Sequence, residues 1–535
     1  MPSLVEHIIE KTPIKNRWIL VPVCIFLFLF ILEIILILRF NNGHFVYTLD
    51  DAYIHLSLAE NIAQGTYGVN LGEPSAPASS IIWPFILVPF SKFPFAYLVP
   101  LIINLFSAIG TIIICSKIIL LIFEKLLSRK LLPFCILISV LVIPAFNLIA
   151  LAFTGMENSL QVFMTSLLLF GLFQIAGNKK PGWWFYLAII IAPLVRFENL
   201  ALSIPALIFT FKLNRRASIL SAILIIIPIV GFSLFLHSLG LGILPSSILV
   251  KSDTVLSAGQ PISILGNLLR NIALHRQGLV LLLLLFWLFY ISFRFKIAAG
   301  ERIITRTALC AVILHLLFGK IEYDNRYEIY SWISILLTLL YLHRVSITRL
   351  VETKPAYQYV LFFCFFAGLT CTPYIVSIYE TPLASNNIYC QHYQMRRFVT
   401  EYYPVNVAVN DIGLVSYQND NYVLDLWGLA SRKAFFHRLK KDDPNWIEIL
   451  CSEHDVKFAM IYDRWFPSLP KNWIPVAELV IRRKKISPAF SKVTFYAVGE
   501  DSRTAVMPWL TEFKKNLPDG IRFTIFAGPH PSGSF

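Results

Sequence analysis

The stretch WILVPVCIFLFLFILEIILIL, at Trp18–Leu38, decides what kind of protein this chain is. An apolar run of about twenty residues is long enough for a helix to cross roughly 30 Å of hydrocarbon. The run lacks the small-residue cleavage site of a removed signal peptide, so it predicts a retained membrane anchor. Lys11, Lys15 and Arg17 precede it, and the positive-inside rule therefore predicts a cytoplasmic N-terminus.

The composition of the whole chain is typical of a membrane protein with many spans. Of its 535 residues, 56% are hydrophobic and 15% are charged, and the mean hydropathy is +0.66. An ordinary soluble domain is much more polar. The net charge of +14 does not indicate nucleic acid, because the basic residues lie in short clusters between apolar runs. We therefore expect the lipid bilayer, and no nucleic acid, as a partner.

Apolar runs predict about eleven transmembrane helices. Under this count the basic turns between spans all fall on the cytoplasmic side, as the positive-inside rule requires. The piece Ile81–Phe90 is too short to cross and is predicted to be a re-entrant or peripheral helix. After Trp18–Leu38, the predicted spans are 95–123, 131–153, 157–177, 183–196, 198–211, 217–239, 279–293, 307–320, 328–343 and 357–378.

A soluble domain follows the last predicted span. Residues 1–378 form the predicted transmembrane domain, with a first outer loop at 41–94, and residues 379–535 form a predicted α/β domain. An odd number of spans places this domain outside, where Cys390 and Cys451 would be able to form a disulfide, although two cysteines do not fix a pairing. The last dozen residues, rich in Gly, Pro and Ser, predict a frayed tail. Four alternating segments predict strands: VNVAVNDIGLVSY, NYVLDLWGLA, VKFAMIY and KVTFYAVG.

The first outer loop carries two adjacent carboxylates, Asp50 and Asp51, in the stretch YTLDDAYIHLSLAENIAQG. Residues 41–91 contain no Lys or Arg, which also places this segment outside. A helix start, with Thr48 or Asp50 as the N-cap, explains one acid. Two neighbouring acids favour a functional role in addition, because the following helix would be amphipathic and would hold both carboxylates at the level of lipid headgroups.

Cations in the outer loops are candidates for binding a phosphate group. Lys251 stands in the longest outer loop, Arg326 opens a span after an outer turn, and Arg196 lies where a short span reaches the outside. Each would equally serve as an ordinary interfacial cation. A guanidinium binds phosphate through two hydrogen bonds, whereas Lys acts as a point charge. Glu157 is a further outer acid, or simply the start of a helix.

Taken in order, these motifs resemble the membrane glycosyltransferases of the GT-C superfamily. Within that superfamily they are similar to the bacterial branch that includes the terminal arabinofuranosyltransferases of mycobacterial cell walls, and more distantly similar to aminoarabinose transferases and protein O-mannosyltransferases. The resemblance runs from Trp18 to about Leu429 and implies a GT-C fold. The elements that carry it are DDAY, AQGTYGVN, EPSAPASSIIW, TGMEN, RFENL, LPSSILVKS, NRYEIY and NDIGLVSY with VLDLWGL.

The resemblance implies an inverting transferase that moves a sugar from a polyprenyl phosphate carrier to an acceptor on the outer side of the membrane. Asp50 matches the catalytic base of the family, and Asp51 would position it, contact the sugar or help to hold a metal. Lys251 and Arg326 would stabilise the departing lipid phosphate. Arg196 ranks below them, because relatives carry RPEG where this chain has RFENL. Further site candidates from the same motifs are Tyr53, His55, Glu157 and Glu198.

The sequence leaves the metal, the sugar and the acceptor open. A divalent cation would bridge Asp50 and Asp51 to the phosphate, but no His or Cys cluster at ligand spacing supports a zinc site. The acceptor would be a polysaccharide, a lipid-linked glycan or a protein. A multi-span transporter or flippase of a lipid-linked glycan is the alternative, although it would show charged residues in mid-span and two related halves, and neither is visible. A bacterial inner membrane is the expected location.

Overall fold

The structure is a computed structural model, and it describes residues 14–126, 128, 130–251, 261–322, 325–440 and 443–526. The chain is mostly helical, with one sheet near its C-terminal end. The helices that precede the sheet are α1 (Ile14–Phe40), α2 (Asp51–Ile62), α3 (Trp83–Leu87), α4 (Val99–Phe123), α5 (Leu131–Ala145), α6 (Leu148–Phe153), α7 (Asn158–Ala176), α8 (Trp183–Val195), α9 (Leu200–Thr210), α10 (Arg215–Ser238), α11 (Ser246–Lys251), α12 (Pro261–Leu274), α13 (Arg276–Arg294), α14 (Ala299–Phe318), α15 (Ile329–Leu342), α16 (Arg344–Thr353), α17 (Ala356–Ile388) and α18 (Gln394–Arg397).

The protein is a multi-pass membrane protein. Among the described residues, six helical segments are long and apolar enough to cross a membrane, and the pair α15 and α16, bent by 63°, would add a seventh. Three shorter apolar helices are Leu131–Ala145, Trp183–Val195 and Phe197–Thr210. A helix lies at each of the eleven predicted spans. The total of eleven crossings nevertheless stays a prediction, because several of these helices are shorter than about 20 residues.

One predicted span is broken. Residues 131–153 were expected to form a single helix, but α5 ends at Ala145 and α6 begins at Leu148. Between them Asn147 has a φ of +53°, which a helix does not allow. Its side-chain Nδ2 donates to the carbonyl oxygen of Asn325 at 3.1 Å, so the break is stabilised by a buried hydrogen bond.

The described residues divide into two compact units. Of the described residues, the helical unit contains those within 14–33, 101–230 and 261–379. The sheet unit contains those within 34–100, 231–251 and 380–526. The predicted first outer loop therefore belongs to the same compact unit as the C-terminal domain.

The sheet has six strands in the order β2-β1-β3-β5-β4-β6. Its first half is parallel, since β1 pairs with both β2 and β3 in the same direction, and the remaining pairs are antiparallel. The four predicted segments contain β1, β2, β3 and β5, whereas β4 and β6 were missed. The strands are β1 (Val407–Val409), β2 (Val423–Asp425), β3 (Phe458–Ile461), β4 (Trp473–Ile481), β5 (Lys492–Val498) and β6 (Ile521–Ile525), and the helices among them are α19 (Gly413–Ser416), α20 (Arg432–Lys440), α21 (Trp446–Glu453) and α22 (Glu500–Lys515).

Aromatic side chains hold the sheet unit together. Phe398, Phe458, Phe495 and Phe513 are fully buried and meet in one cluster. Burying a side chain of this size contributes roughly 1.5–3 kcal/mol. Ile54 of α2 belongs to the same cluster. The helix that follows the acidic pair is therefore part of the core of the sheet unit.

Candidate functional site

Asp50 is bound by the backbone at the start of α19. The Gly413 N–H donates to its Oδ2 at 2.7 Å, and the Leu414 N–H donates to its Oδ1 at 2.8 Å. A Cβ on residue 413 would lie 2.1 Å from the Asp50 carbonyl oxygen and 2.6 Å from Oδ2, so only glycine fits there. The motif DDAY from the first loop thus meets the motif NDIGLVSY from the C-terminal domain.

Two expectations for this segment were wrong. Asp50 stands at the N-cap position of α2, but its side chain does not cap that helix, because both oxygens accept bonds from α19. The helix was also expected to lie on the membrane surface with one polar face. Instead, every residue from Ala52 to Ala59 is buried, and Ser57 Oγ lies 3.3 Å from Ser416 Oγ. Tertiary packing inside the sheet unit covers the face that the sequence pattern left for water.

His392 and Asp411 complete the environment of Asp50. His392 Nε2 lies 3.0 Å from Asp411 Oδ2, and the imidazole is 2% exposed while the carboxylate is 25% exposed. Asp50 and Asp51 also act on His392 electrostatically. His392 lies in a π-helical turn, Tyr389–Tyr393, whose Gln391 Oε1 accepts from the Tyr462 hydroxyl at 2.7 Å. Single π-turns of this kind are frequent at functional sites.

The parallel half of the sheet explains why Asp411 is there. The strand β1 ends at Val409, and Asp411 follows two residues later. Asn410 Oδ1 accepts from the Tyr462 N–H at 2.7 Å and so ties the end of β1 to the end of β3. Ligand sites of α/β proteins lie at the carboxyl ends of parallel strands. The acidic cluster has that position.

The Asp50 carboxyl has a higher pKa than that of an ordinary aspartate. Its pKa is raised from 3.8 to about 6, mainly by burial and in smaller part by the neighbouring Asp411 charge. The charge of His392 and the two N–H donors act in the opposite direction. A carboxylate has about four lone-pair positions, of which these donors occupy two, so both oxygens can still accept a hydrogen bond.

The other candidates in α2 have different surroundings. Asp51 is half-buried in the first turn. Tyr53 is 4% exposed, and its hydroxyl oxygen accepts from the Tyr47 N–H at 3.2 Å. Its ring packs against Tyr417, so this residue joins α2 to the segment after α19. His55 is buried within the helix at 2% exposure.

These residues do not form a built metal centre. Within the described part of the chain, no three His, Cys, Asp or Glu side chains come together in an arrangement that could hold a metal ion. Both oxygens of Asp50 already accept backbone donors. A bridging cation at Asp50 and Asp51 stays a prediction, because Mg²⁺ is often held by one or two carboxylates together with water and the phosphate oxygens of a substrate. The Cys390 and Cys451 thiols are free, so the disulfide that the sequence allowed is not formed.

The segment LPSSILVKS contacts the first loop. The Ser246 N–H donates to the Ala76 carbonyl oxygen at 2.9 Å, and Ser247 Oγ donates to the Ala78 carbonyl oxygen at 2.7 Å. Two elements of the GT-C resemblance, EPSAPASSIIW and LPSSILVKS, thus meet within the sheet unit. Lys251 is the last residue of α11, and its side chain lies outside the described part of the structure.

A polar groove lies beside α2 and α19. It has a volume of about 250 Å³ and is lined by hydroxyl, amide and carboxyl side chains. Burial raises the pKa of the Glu60 carboxyl in its wall to about 7. The groove lining includes Ser57, Glu60, Asn61, Gln64, Ser416, Gln418, Asn419 and Tyr422.

The remaining candidates form a second cluster, within the helical unit. Arg196 donates from NH1 to Glu157 Oε1 at 2.8 Å and from NH2 to Glu198 Oε1 at 2.7 Å. Arg196 and Glu157 are almost completely buried. The motifs TGMEN and RFENL therefore join in one ion-pair network, in which two carboxylates neutralise the guanidinium.

Tyr327 connects this network to Arg326. The guanidinium carbon of Arg196 lies 5.0 Å from the centre of the Tyr327 ring, and that of Arg326 lies 4.8 Å from it. Arg326 also donates to the Tyr327 hydroxyl at 3.0 Å. Arg196 and Arg326 thus meet at one aromatic ring that the sequence had not singled out, and Glu157 and Glu198 join this cluster through Arg196.

Comparison with known proteins gives a distant likeness. Residues 386–496 match a family described as a domain of unknown function (DUF8728), and no curated protein sequence matches significantly. The chain resembles the oligosaccharyltransferase of Archaeoglobus fulgidus. Its apo structure is 13% identical with a TM-score of 0.45, covering 89% of this chain and 74% of that one. The AglB complex with an inhibitory peptide and a dolichol-phosphate is 12% identical to this chain, with a TM-score of 0.45. That match covers 91% of this chain and 75% of the other.

TM-scores below 0.5 and identities of 12–13% do not by themselves assign a reaction or a substrate. The roles of the two clusters are therefore argued below from the residues of this chain.

Proposed function

We propose that this protein is an inverting glycosyltransferase. It moves a sugar from a polyprenyl-phosphate carrier to a cell-envelope acceptor on the outer side of a bacterial inner membrane. The observation that carries the proposal is the contact between Asp50 and the backbone of Gly413 and Leu414. It fixes one carboxylate of the acidic pair in a polar site, and burial brings its pKa to about 6.

Asp50 acts as the general base. A base works best when its pKa lies near the working pH, because it is then both deprotonated and strong enough to accept a proton. An aspartate with a pKa of about 6 satisfies this better than one at 3.8. The acceptor hydroxyl donates to a free lone pair of Asp50 and attacks the anomeric carbon as the bond to the lipid phosphate breaks, which inverts the configuration.

His392 and Asp411 keep the charge of this site in balance. Next to two carboxylates, a protonated imidazole offsets their repulsion and helps to keep Asp50 ionised. Asp51 remains the residue that orients Asp50 or contacts the sugar. The polar groove at Glu60 and Gln418 supplies amide and carboxyl groups for the hydroxyls of a glycan acceptor.

Arg326 and Lys251 stabilise the departing phosphate. Arg196 is less suited to this role, because Glu157 and Glu198 already neutralise it. Its network instead positions Tyr327 and, through that ring, Arg326. A guanidinium that binds two phosphate oxygens is worth more than an exposed point charge, because charge-assisted bidentate bonds are the stronger kind.

The test compares envelope glycans in cells that lack the chromosomal gene and carry native protein, Asp50→Asn or Asp519→Asn. Asp519 is an exposed carboxylate of the same unit that does not line the polar groove, and it serves as the matched control. Removing a general base lowers the rate by roughly 10²–10⁴-fold, so Asp50→Asn is expected to abolish the glycan modification that native protein and Asp519→Asn restore. Mass spectrometry of the glycans reads the result. Full restoration by Asp50→Asn removes this residue from the mechanism.

A flippase of a lipid-linked glycan is the second candidate. It shares the many spans and the buried ion pairs of the helical unit. The two functions differ in what accumulates when the protein is inactive. A transferase leaves the sugar-loaded carrier and an unmodified acceptor on the outer side, whereas a flippase leaves the carrier in the inner leaflet.

A further inference from the structure

Four consecutive cations form the tip of the hairpin between β4 and β5. They are Arg482, Arg483, Lys484 and Lys485, and all four are exposed. We propose that this basic hairpin binds the phosphate groups of anionic lipids in the surrounding bilayer. The proposal does not depend on the reaction that the protein catalyses.

The hairpin is held at the end of a membrane-spanning helix. The guanidinium carbon of Arg483 lies 5.2 Å from the centre of the Phe40 ring. Phe40 is the last residue of α1, whose segment Trp18–Phe40 is apolar enough to cross a bilayer. The position where α1 leaves the hydrocarbon is the position of the lipid phosphates, so the hairpin lies at headgroup level.

Hydrogen bonds keep the hairpin in place. Asn387 Nδ2 donates to the Lys484 carbonyl oxygen at 3.1 Å, and the Ile486 N–H donates to Asn387 Oδ1 at 2.7 Å. Arg483 NH1 donates to Asn386 Oδ1 at 3.1 Å. Ser487 Oγ donates to the Thr48 carbonyl oxygen at 2.5 Å. The cations are therefore presented on a fixed loop rather than on a flexible tail.

The charge of the patch is strongly positive. Arg39, exposed in the last turn of α1, adds a fifth cation next to Phe40. Glu380 pairs with Lys484 at 2.8 Å and offsets part of this charge. Clusters of Lys and Arg beside a transmembrane helix attract anionic lipids, and each cation adds to the attraction.

The test uses the full-length protein purified in a neutral detergent. Arg482→Gln with Lys485→Gln removes two cations while Arg483 and Lys484 keep the anchoring contacts. Lys471→Gln with Lys514→Gln removes the same charge from two exposed positions elsewhere in the unit and is the matched control. Binding of phosphatidylglycerol, with phosphatidylcholine as the neutral comparison, is measured by native mass spectrometry and by the shift in melting temperature.

We expect the hairpin variant to bind phosphatidylglycerol about thirty-fold more weakly than native protein, since two headgroup contacts are lost. The control variant should bind normally. Equal binding by the hairpin variant, or an equal loss in both variants, overturns the proposal. If inorganic phosphate stabilises the protein as much as phosphatidylglycerol does, the basic hairpin binds a free anion, and the lipid assignment is overturned. If the hairpin variant is poorly folded, Arg482→Lys with Lys485→Arg must bind as native protein does, or the proposal fails.

Discussion

The carboxylate of Asp50 is subject to opposing influences on its pKa. Burial and the Asp411 charge favour its protonated form, whereas the N–H groups of Gly413 and Leu414 favour the ionised form. The balance gives a pKa of about 6, so the group is mostly ionised at neutral pH but is easily protonated below it. A proton acceptor with these properties makes the rate of transfer depend on pH in a definite range.

The first prediction is a pH profile. Since the base must be deprotonated, and its pKa is raised to about 6 rather than lowered, transfer is expected to be constant at higher pH and to fall about tenfold per pH unit below 6. The initial rate of sugar transfer in native membranes between pH 4.5 and 8 measures this. A rate that stays constant down to about pH 4 contradicts it, because that is the behaviour of an ordinary aspartate.

The second prediction concerns Gly413→Ala. The added Cβ would lie 2.1 Å from the Asp50 carbonyl oxygen, so α19 must move away and lose its bonds to the carboxylate. We expect transfer to fall about a hundredfold, as a displacement of about 1 Å in an active site does. The acid limb of the pH profile should also move to higher pH, because two donors that stabilise the ionised form are lost.

Gly231→Ala is the control for that substitution. A Cβ at residue 231, within α10, would meet nothing within 4 Å. Alanine there should leave transfer and its pH profile unchanged, and it adds some helix propensity. An acid limb that stays in place in Gly413→Ala would show that the backbone donors do not set the pKa of Asp50.

At the residue scale, sequence patterns identified two of the four ionisable residues in the site around Asp50. Asp50 and Asp51 were visible because they are neighbours in an outer loop without cations. His392 and Asp411 were missed, because a lone His at the end of an apolar helix and a lone Asp after a strand have no distinguishing pattern. The bond between Gly413 and Asp50 joins residues that are 363 positions apart, and no local periodicity predicts such a contact.

At the scale of secondary-structure elements, the loop after β2 contains an acidic residue, Asp425, whose role is structural. Asp425 is 1% exposed, and its carboxylate accepts the N–H groups of Trp427 at 2.8 Å and Ala430 at 2.7 Å. Gly428 in the same loop has a φ of +89° and packs against Phe435. The motif VLDLWGL therefore closes a tight loop at the end of a strand.

The third prediction is that Asp425→Ala destabilises the protein without changing its chemistry. Two buried N–H groups lose their acceptor, which costs roughly 2–4 kcal/mol. Thermal unfolding in detergent should shift to lower temperature by several degrees, while transfer per folded molecule stays normal. Asp420→Ala, at an exposed position, should melt as native protein does. An unchanged melting temperature with lost transfer would place Asp425 in the active site instead.

There are physical reasons why the sequence patterns did not predict β4 and β6. The strand β4 contains Pro475, which cannot donate to a ladder, and its register shifts between Pro475 and Ala477. It also carries Glu478 among apolar residues, which hides the alternation. The strand β6 lies at the edge of the sheet, and Phe523 is its one buried residue. The strands that sequence patterns identified have almost wholly buried side chains.

For the whole molecule, the contact between Asp50 and α19 restricts the membrane topology. Both segments belong to the sheet unit, so they must lie on the same side of the bilayer. The chain between Phe40 and Glu380 therefore crosses the membrane an even number of times. Ten crossings after the first, as the apolar runs predict, satisfy this condition. The side of the membrane on which the sheet unit lies is predicted separately, from the cytoplasmic position of the basic turns.

The fourth prediction is that the sheet unit faces outward. Its test uses single cysteines at Leu71 in the first loop, Lys514 in α22 and Lys212 in a predicted cytoplasmic turn, all of which are exposed. A membrane-impermeant maleimide added to intact spheroplasts should label the first two positions and leave the third unlabelled until the membrane is permeabilised. Native protein gives the background from the existing thiols. Labelling of residue 212 alone would place the unit in the cytosol and remove the acceptor side of the proposed reaction. Labelling of only one of the first two positions would contradict the contact at Asp50 itself, because a single compact unit cannot lie on both sides of a bilayer.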